Sequence, residues 1–573
     1  MSEVSTAQLF NAAVDAYERG DAAGAFGMAE DLLRREPEHV GALYMTGRLL
    51  LDQGAAGRAL PRLEAAVRRW PRDGGLLETL GNAYFQSQRW HEAISSYQAA
   101  QQAGRHDPNL LNSLGLALKE MGDVDGAIAA YNEAIRIAPA EAVVHNNLAI
   151  ALNRKHDYVG AIDAYRRSTE LDPGNADVWS NLATLYEQTN LLDEAEWALS
   201  RGFGTDPRQE NLHLVAARCE RRRGEYAGSA ARLEAQLKRD DLSPVVRRSM
   251  EFELGRDYDQ LGREDDAYAH FMAGNALSKE VWPHLRSGAD EFVSSLQKSL
   301  MFFSGATPRG WPKPPLEDRR SPVFLVGFPR SGTTLLDTML DAHPGINVLE
   351  EEPIIDKVLE QVRRLPGGYP QALAALTPDQ IRDLRAAYWQ EADKLLGPVA
   401  HDMLVVDKNP FYSAHAAFIQ LLFPGARFIF ALRHPCDVAL SCFMQAFGNN
   451  PALDNFRDLE NTALTYSCVM DLWIHFRDAL PLEVHELRYE ALIADKDAEL
   501  RRLLAFLGLG WEEAMQDHIQ HAKKRGRIYT PSYHQVVQPV YADAVERWRR
   551  YRSQLERVLP VLRPYIERFG YEA

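Results

Sequence analysis

The sequence predicts two unlike halves: a solenoid of helical repeats, then an α/β domain built on a parallel sheet. Three observations carry this. Small and bulky residues recur every 34 positions through the first half. Short apolar runs alternate with helical stretches through the second. Between them the period is lost, and the segment TPRGWPKPPLEDRR is rich in proline and charge.

At 573 residues the chain is too long for one domain. It carries 64 Lys and Arg against 80 Asp and Glu, a net charge of −16. That charge argues against bulk binding of nucleic acid, so a site for an anion must be a local gathering of cations. Cys219, Cys436, Cys442 and Cys468 are scattered, with no CxxC pair, and suggest neither a disulfide framework nor a zinc site. No run of about 18 apolar residues occurs, and the start lacks a basic region before an apolar core. The expectation is a cytoplasmic protein without a transmembrane segment.

The repeat has three series. Ala13, Gly47, Gly81, Gly115, Ala149, Ala183 and Ala217 form the first. Ala25, Ala59, Ala93, Ala127, Ala161, Ala195 and Ser229 form the second. Leu63, Tyr97, Tyr131, Tyr165, Leu199 and Leu233 form the third, with Pro139, Pro173 and Pro207 between units, where a helix must stop. Small residues let two helices approach, and the bulky one is expected to fill the groove left by the next unit. This pattern resembles the tetratricopeptide repeat, a stacked helix–turn–helix unit. The resemblance extends over residues 5–280, with an eighth unit around Ala267 and Phe271 after a four-residue insertion. It implies a module that docks a protein or peptide on its concave face and carries no chemistry; a spacer or a homodimerisation arm is the alternative. Residues 281–320 read as a helical and Pro-rich linker, and the second domain as residues 321–573.

That domain opens with PVFLVGFPRSGTT, residues 322–334. Val323 to Val326 read as a buried strand, and LLDTML after the loop reads as a helix. Backbone N–H groups at a helix start are unpaired and carry the positive end of the dipole, so Ser331, Gly332, Thr333 and Thr334 stand where an anion binds. Arg330 adds a planar cation suited to phosphate or sulfate oxygens. Further strands are expected at 404–407, 427–433 and 482–487, with helices at 377–395, 411–422, 435–446 and 457–478. Ligands of such sheets sit at the carboxyl ends of the strands, where Arg330, Lys408 and Arg433 fall. A nucleoside triphosphatase loop would need GxxxxGK[ST], and GFPRSGTT has no such lysine.

FPRSGTTLLDTMLDAHP, LEEEP, DKNPF, LLFPGARFIFALR with its following helix, HELRYEAL and SYHQVVQPV together resemble the sulfotransferases, most closely those acting on protein tyrosines. The resemblance implies 3′-phosphoadenosine 5′-phosphosulfate (PAPS) as co-substrate and no metal. It places Arg330, Ser331, Gly332, Thr333 and Thr334 on the 5′-phosphosulfate, Arg433 and Ser441 on the 3′-phosphate, and Tyr489 on the nucleotide. Residues 532–541, Gln535 among them, and Arg547 would close over the donor. Glu351 matches the general base, Lys408 the lysine at the bridging and leaving oxygens, and Ser532 a hydrogen-bond donor in the transition state. Glu350 and Glu352 are expected to be solvated or to cap a helix, His343 to be structural, and Cys436 and Cys442 to pack.

The acceptor side departs from the family. Where the animal enzymes follow the base with Thr, Arg and a further Arg, this chain has Glu352, Pro353 and Lys357, and Gln445 and Gln538 replace cations near the donor. Repeats fused to such a domain point to a bacterial protein. Three readings stand: sulfation of a tyrosine in a protein or peptide, sulfation of a glycan, lipid or small-molecule hydroxyl, and a scaffold without catalysis.

Overall fold

The computed structural model describes residues 5–305, 312, 321–397, 403–517 and 544–572. The chain forms two compact units, Met1–Val215 and Ala216–Ala573.

The first unit is a run of paired helices from α1 (Thr6–Glu18) and α2 (Ala22–Arg35) onward. α3 (Val40–Asp52) pairs with α4 (Ala56–Arg69), α5 (Gly74–Gln86) with α6 (Trp90–Gln102), and α7 (Pro108–Met121) with α8 (Val124–Ile137). The pattern continues through α9 (Ala142–Arg154), α10 (Tyr158–Leu171), α11 (Ala176–Gln188) and α12 (Leu192–Thr205). The small and bulky series meet inside each pair, not across to the next unit as the sequence suggested. A Cβ at Gly47 would stand 2.6 Å from Leu63, and one at Gly81 or Gly115 would stand 2.5 Å from the ring of Tyr97 or Tyr131. In these three pairs the bulky side chain thus fills the notch that the glycine leaves open. The proline turns have their own device. The ring nitrogens of His145, Trp179 and His213 lie 3.0, 3.0 and 2.9 Å from the carbonyls of Pro139, Pro173 and Pro207.

The division between units passes through α13 (Glu210–Arg222), so the last repeat helices belong to the second unit. These are α14 (Tyr226–Leu237), α15 (Pro244–Gln260) and α16 (Glu264–Val281), then α17 (Leu285–Gly305). A five-stranded parallel sheet comes next, in the order β2-β3-β1-β4-β5. Its strands are β1 (Val323–Val326), β2 (Ile346–Glu350), β3 (Leu404–Lys408), β4 (Arg427–Leu432) and β5 (Glu483–Arg488). β2 is not expected from the sequence; the short INVLE run lies between a turn and three glutamates that mask its apolar alternation. The connections hold α18 (Thr333–Asp341), α19 (Ile354–Arg363), α20 (Pro378–Leu396), α21 (Ala416–Leu422), α22 (Pro435–Phe443) and α23 (Leu459–Ala479). α24 (Tyr489–Ala494) and α25 (Lys496–Leu507) come after β5. β1 is buried along its whole length, and Val323, Leu325, Leu336, Val406 and Ile429 share one apolar core. No helix among the described residues is long and apolar enough to cross a membrane.

Candidate active site

The loop after β1 is shaped by its backbone. Arg330 has φ 71° and Gly332 φ 97°, both left-handed. A non-glycine residue held there marks a site where surroundings impose the conformation. Ser331 turns its hydroxyl inward, donating to the Phe328 carbonyl at 2.7 Å, and so helps to build the turn. Gly332 is irreplaceable on two counts: its φ, and the ring of Tyr489, which a Cβ would meet at 2.6 Å. Thr333 and Thr334 open α18 beneath it, and no side chain caps that helix among the described residues. Its first N–H groups are therefore available to an anion.

Arg330 donates its Nε–H to Ser441 Oγ at 3.0 Å, and Arg433 donates to the Arg330 carbonyl at 3.1 Å. Residues 111 and 103 positions apart from Arg330 are thereby brought to one edge of the sheet. Arg433 lies over the Tyr489 ring, 4.9 Å from its centroid. Its Nε is buried and has no hydrogen-bond partner among the described residues, a donor suited to an anionic ligand. Burial pushes Arg330 down to about 10, with the nearby charges of Arg433 and Arg256 adding to the effect. It stays cationic at neutral pH.

Lys408 ends β3 in register with Leu325 on one side and Glu350 on the other. Its ammonium is fully buried. It lies 2.8 Å from Glu351, 3.0 Å from Asp337 and 3.8 Å from Glu350. Burial alone would lower its pKa; the three carboxylates outweigh that and hold it above the ordinary lysine value. Glu351 sits at φ 53°, its N–H donating to the Lys408 carbonyl at 2.8 Å. Its side chain is 44% exposed, so it touches both the buried lysine and solvent. A carboxylate so placed can take a proton from an entering hydroxyl. Glu350 corrects the expectation of a solvated acid: it is buried beside the lysine.

Asp337 escapes a reading of the sequence. The signal is an acid within the apolar helix LLDTML, which lacks a reason until Lys408 is found opposite. Asp407 points to the other face of the strand, where Tyr388 donates to it at 2.9 Å and burial pushes it up to about 8. Arg547 is placed on Asp259 of α15, at 2.5 Å. Lys357, the remaining cation of the altered acceptor segment, is paired with Glu391 at 2.6 Å. His343 accepts from the Gly345 N–H and donates to the Gly510 carbonyl, a structural role. Cys436 and Cys442 are fully buried. Ser532, Gln535 and Gln538 lie outside the described residues.

Residues 322–513 match the sulfotransferase family. Residues 10–73, 44–108, 78–142, 112–176 and 152–219 match the tetratricopeptide repeat. An uncharacterized protein of Aquifex aeolicus is 26% identical over 346 residues, 58% of this chain and 43% of its own length. Protein-tyrosine sulfotransferase 1 of Danio rerio is 28% identical over 263 residues, 44% of this chain and 72% of the relative. The Homo sapiens protein of that name is 25% identical over 268 residues, 44% of this chain and 69% of the relative. The chain thus spans less than half the length of the Aquifex relative. A crystal structure of MamA protein is 24% identical and covers 30% of this chain and 93% of that one, with a TM-score of 0.28. The chain carries a run of tetratricopeptide repeats followed by a C-terminal domain of the sulfotransferase family.

Proposed function

We propose that this protein transfers the sulfuryl group of PAPS to an acceptor hydroxyl, a tyrosine of a protein or peptide. The observation that supports it most is the meeting of Glu351 with Lys408 at the same sheet edge as Arg330, Arg433 and Ser441. Arg330 and the open N–H groups of α18 suit the phosphosulfate, and Arg433 and Ser441 suit the 3′-phosphate. Glu351 takes the proton of the acceptor hydroxyl as its oxygen forms the bond to sulfur. The bond between sulfur and the bridging oxygen breaks, and Lys408 meets the charge that grows on that oxygen. Asp337 remains as the lysine's counter-ion when Glu351 turns to the acceptor. The repeat array docks the acceptor protein. One observation favours the second reading, a glycan, lipid or small-molecule hydroxyl: Lys357 is engaged by Glu391 and leaves less positive charge for an acidic peptide.

Incubation with ³⁵S-labelled PAPS and cell lysate, followed by hydrolysis, tests this. Label recovered as sulfotyrosine supports the proposal, and label confined to lipid or polysaccharide overturns the choice of acceptor. Glu351→Gln is expected to slow transfer by about 10²- to 10⁴-fold without loss of donor binding. Lys408→Ala should cost about as much rate and also roughly 3–5 kcal/mol of stability, because Asp337 is left buried without its cation.

A further inference from the structure

The last repeat helices grip the elements that carry the candidate 3′-phosphate residues. Asp259, in the last turn of α15, is 2% exposed. It pairs with Arg547 at 2.5 Å, accepts from Arg550 at 3.2 Å and accepts from the Tyr551 hydroxyl at 2.7 Å. The same short segment gives the Glu546 and Trp548 N–H groups to Asp437 of α22, at 3.0 and 2.8 Å. The Trp548 ring stacks on His434, and the Ala544 carbonyl accepts from Arg433 at 2.5 Å. Asp259 and Arg433 thus both hold the short stretch of chain from Ala544 to Tyr551.

The opposite end of α22 is held too. Asn275 of α16 is buried and donates to the Phe443 carbonyl at 2.9 Å, and Arg248 of α15 donates to the Phe447 carbonyl at 2.7 Å. The Phe443 carbonyl, at the helix end, has no partner within the helix, and Asn275 supplies one; Arg248 holds the chain four residues further on. Tyr268 packs on Phe443, ring centroids 5.1 Å apart. Ser441 lies between these two anchors.

We infer that α15 and α16 are part of the donor site, with Asp259 and Asn275 as positioning residues that set Arg433 and Ser441 at the spacing a 3′-phosphate needs. The inference rests on the PAPS reading above. It replaces the expectation that the repeats carry recognition alone.

Calorimetry on the full chain tests it with two probes, adenosine 3′,5′-bisphosphate and adenosine 5′-phosphate. Asp259→Asn and Asn275→Leu are each expected to weaken the bisphosphate about tenfold, the scale of one buried hydrogen bond, and the monophosphate by no more than about twofold. Asp259→Glu should recover part of the loss. A variant that binds the bisphosphate as well as the parent, or that loses both ligands equally, overturns the inference. If Asp259→Asn does not fold, Asn275→Leu decides alone. A parent chain that shows no preference for the bisphosphate overturns the donor reading itself, and this inference with it.

Discussion

Helix pairs α7–α8 and α15–α16 are packed by one rule and bury different chemistry. Gly115 lies under Tyr131 in the first and Gly255 under Phe271 in the second. Yet the Tyr131 phenol apart, α7–α8 bury no polar side chain among the described residues, whereas α15–α16 bury Arg248, Glu253, Asp257, Asp259, Asn275 and Ser278. Buried polar groups need partners, and these find several of theirs on α22 and the segment around Trp548. A repeat pair can therefore keep the spacing of its family and still be recruited into a neighbouring site.

The largest expected effect comes from where the chain is cut. A protein beginning at residue 209 keeps α13–α16 and should bind adenosine 3′,5′-bisphosphate like the full chain. One beginning at residue 282 lacks Asp259 and Asn275 and should lose that binding altogether. Calorimetry on the two separates them, and equal affinity would abolish the distinction between the pairs.

The same lesion placed in each pair is a finer instrument. A Cβ at Gly115 would stand 2.5 Å from the Tyr131 ring and one at Gly255 2.9 Å from the Phe271 ring. Gly115→Val and Gly255→Val should each cost about 1–3 kcal/mol by overpacking. Only Gly255→Val should also weaken the bisphosphate, about tenfold, the measure of one disturbed hydrogen bond. Thermal unfolding reads the first effect and calorimetry the second. Parallel losses of ligand affinity in both variants would erase the contrast.

Most of this fold was legible in the sequence because its signals are periodic. The 34-residue spacing marks out the helical pairs, and four of five strands stand out as apolar runs between helices. The candidate site was legible where a motif is local, as in the loop from Gly327 to Thr334. What stayed hidden depends on distant partners. Asp337 looks like a stray acid until Lys408 is opposite it, and Glu350 looks solvated until β2 pairs with β3. Asp257 stands where the earlier copies of the repeat, allowing for the four-residue insertion, carry Cys219, Leu185, Ala151 and Ala117. Nothing local says whether such an acid faces water or a buried partner.

That acid gives the smallest effect, a difference in pH response between the units. Burial pushes Asp257 up to about 7, opposed in part by the Ser229 hydroxyl, which donates to it at 2.5 Å. In the unfolded chain the same group titrates near 4. Between those values the folded state keeps a proton that the unfolded state has released, so stability falls as pH rises through this window. Asp407, raised to about 8, extends the fall upward in the same unit. The first unit buries no aspartate among its described residues. Between pH 5 and pH 8 the deprotonation of Asp257 alone should cost the second unit on the order of 2–3 kcal/mol and that of Asp407 about as much again, opposed in part by His415, His434 and His485, whose lowered values add stability as pH rises through the same range. Scanning calorimetry across that range reads the slope, and Asp257→Asn should make it shallower by the share of Asp257 while leaving the first unit's transition where it was. An unchanged slope in that variant would mean that Asp257 enters the fold already ionised, held by Arg221 and Arg256, and the acids of α15 would then differ from those of the earlier repeats in their partners but not in their protons.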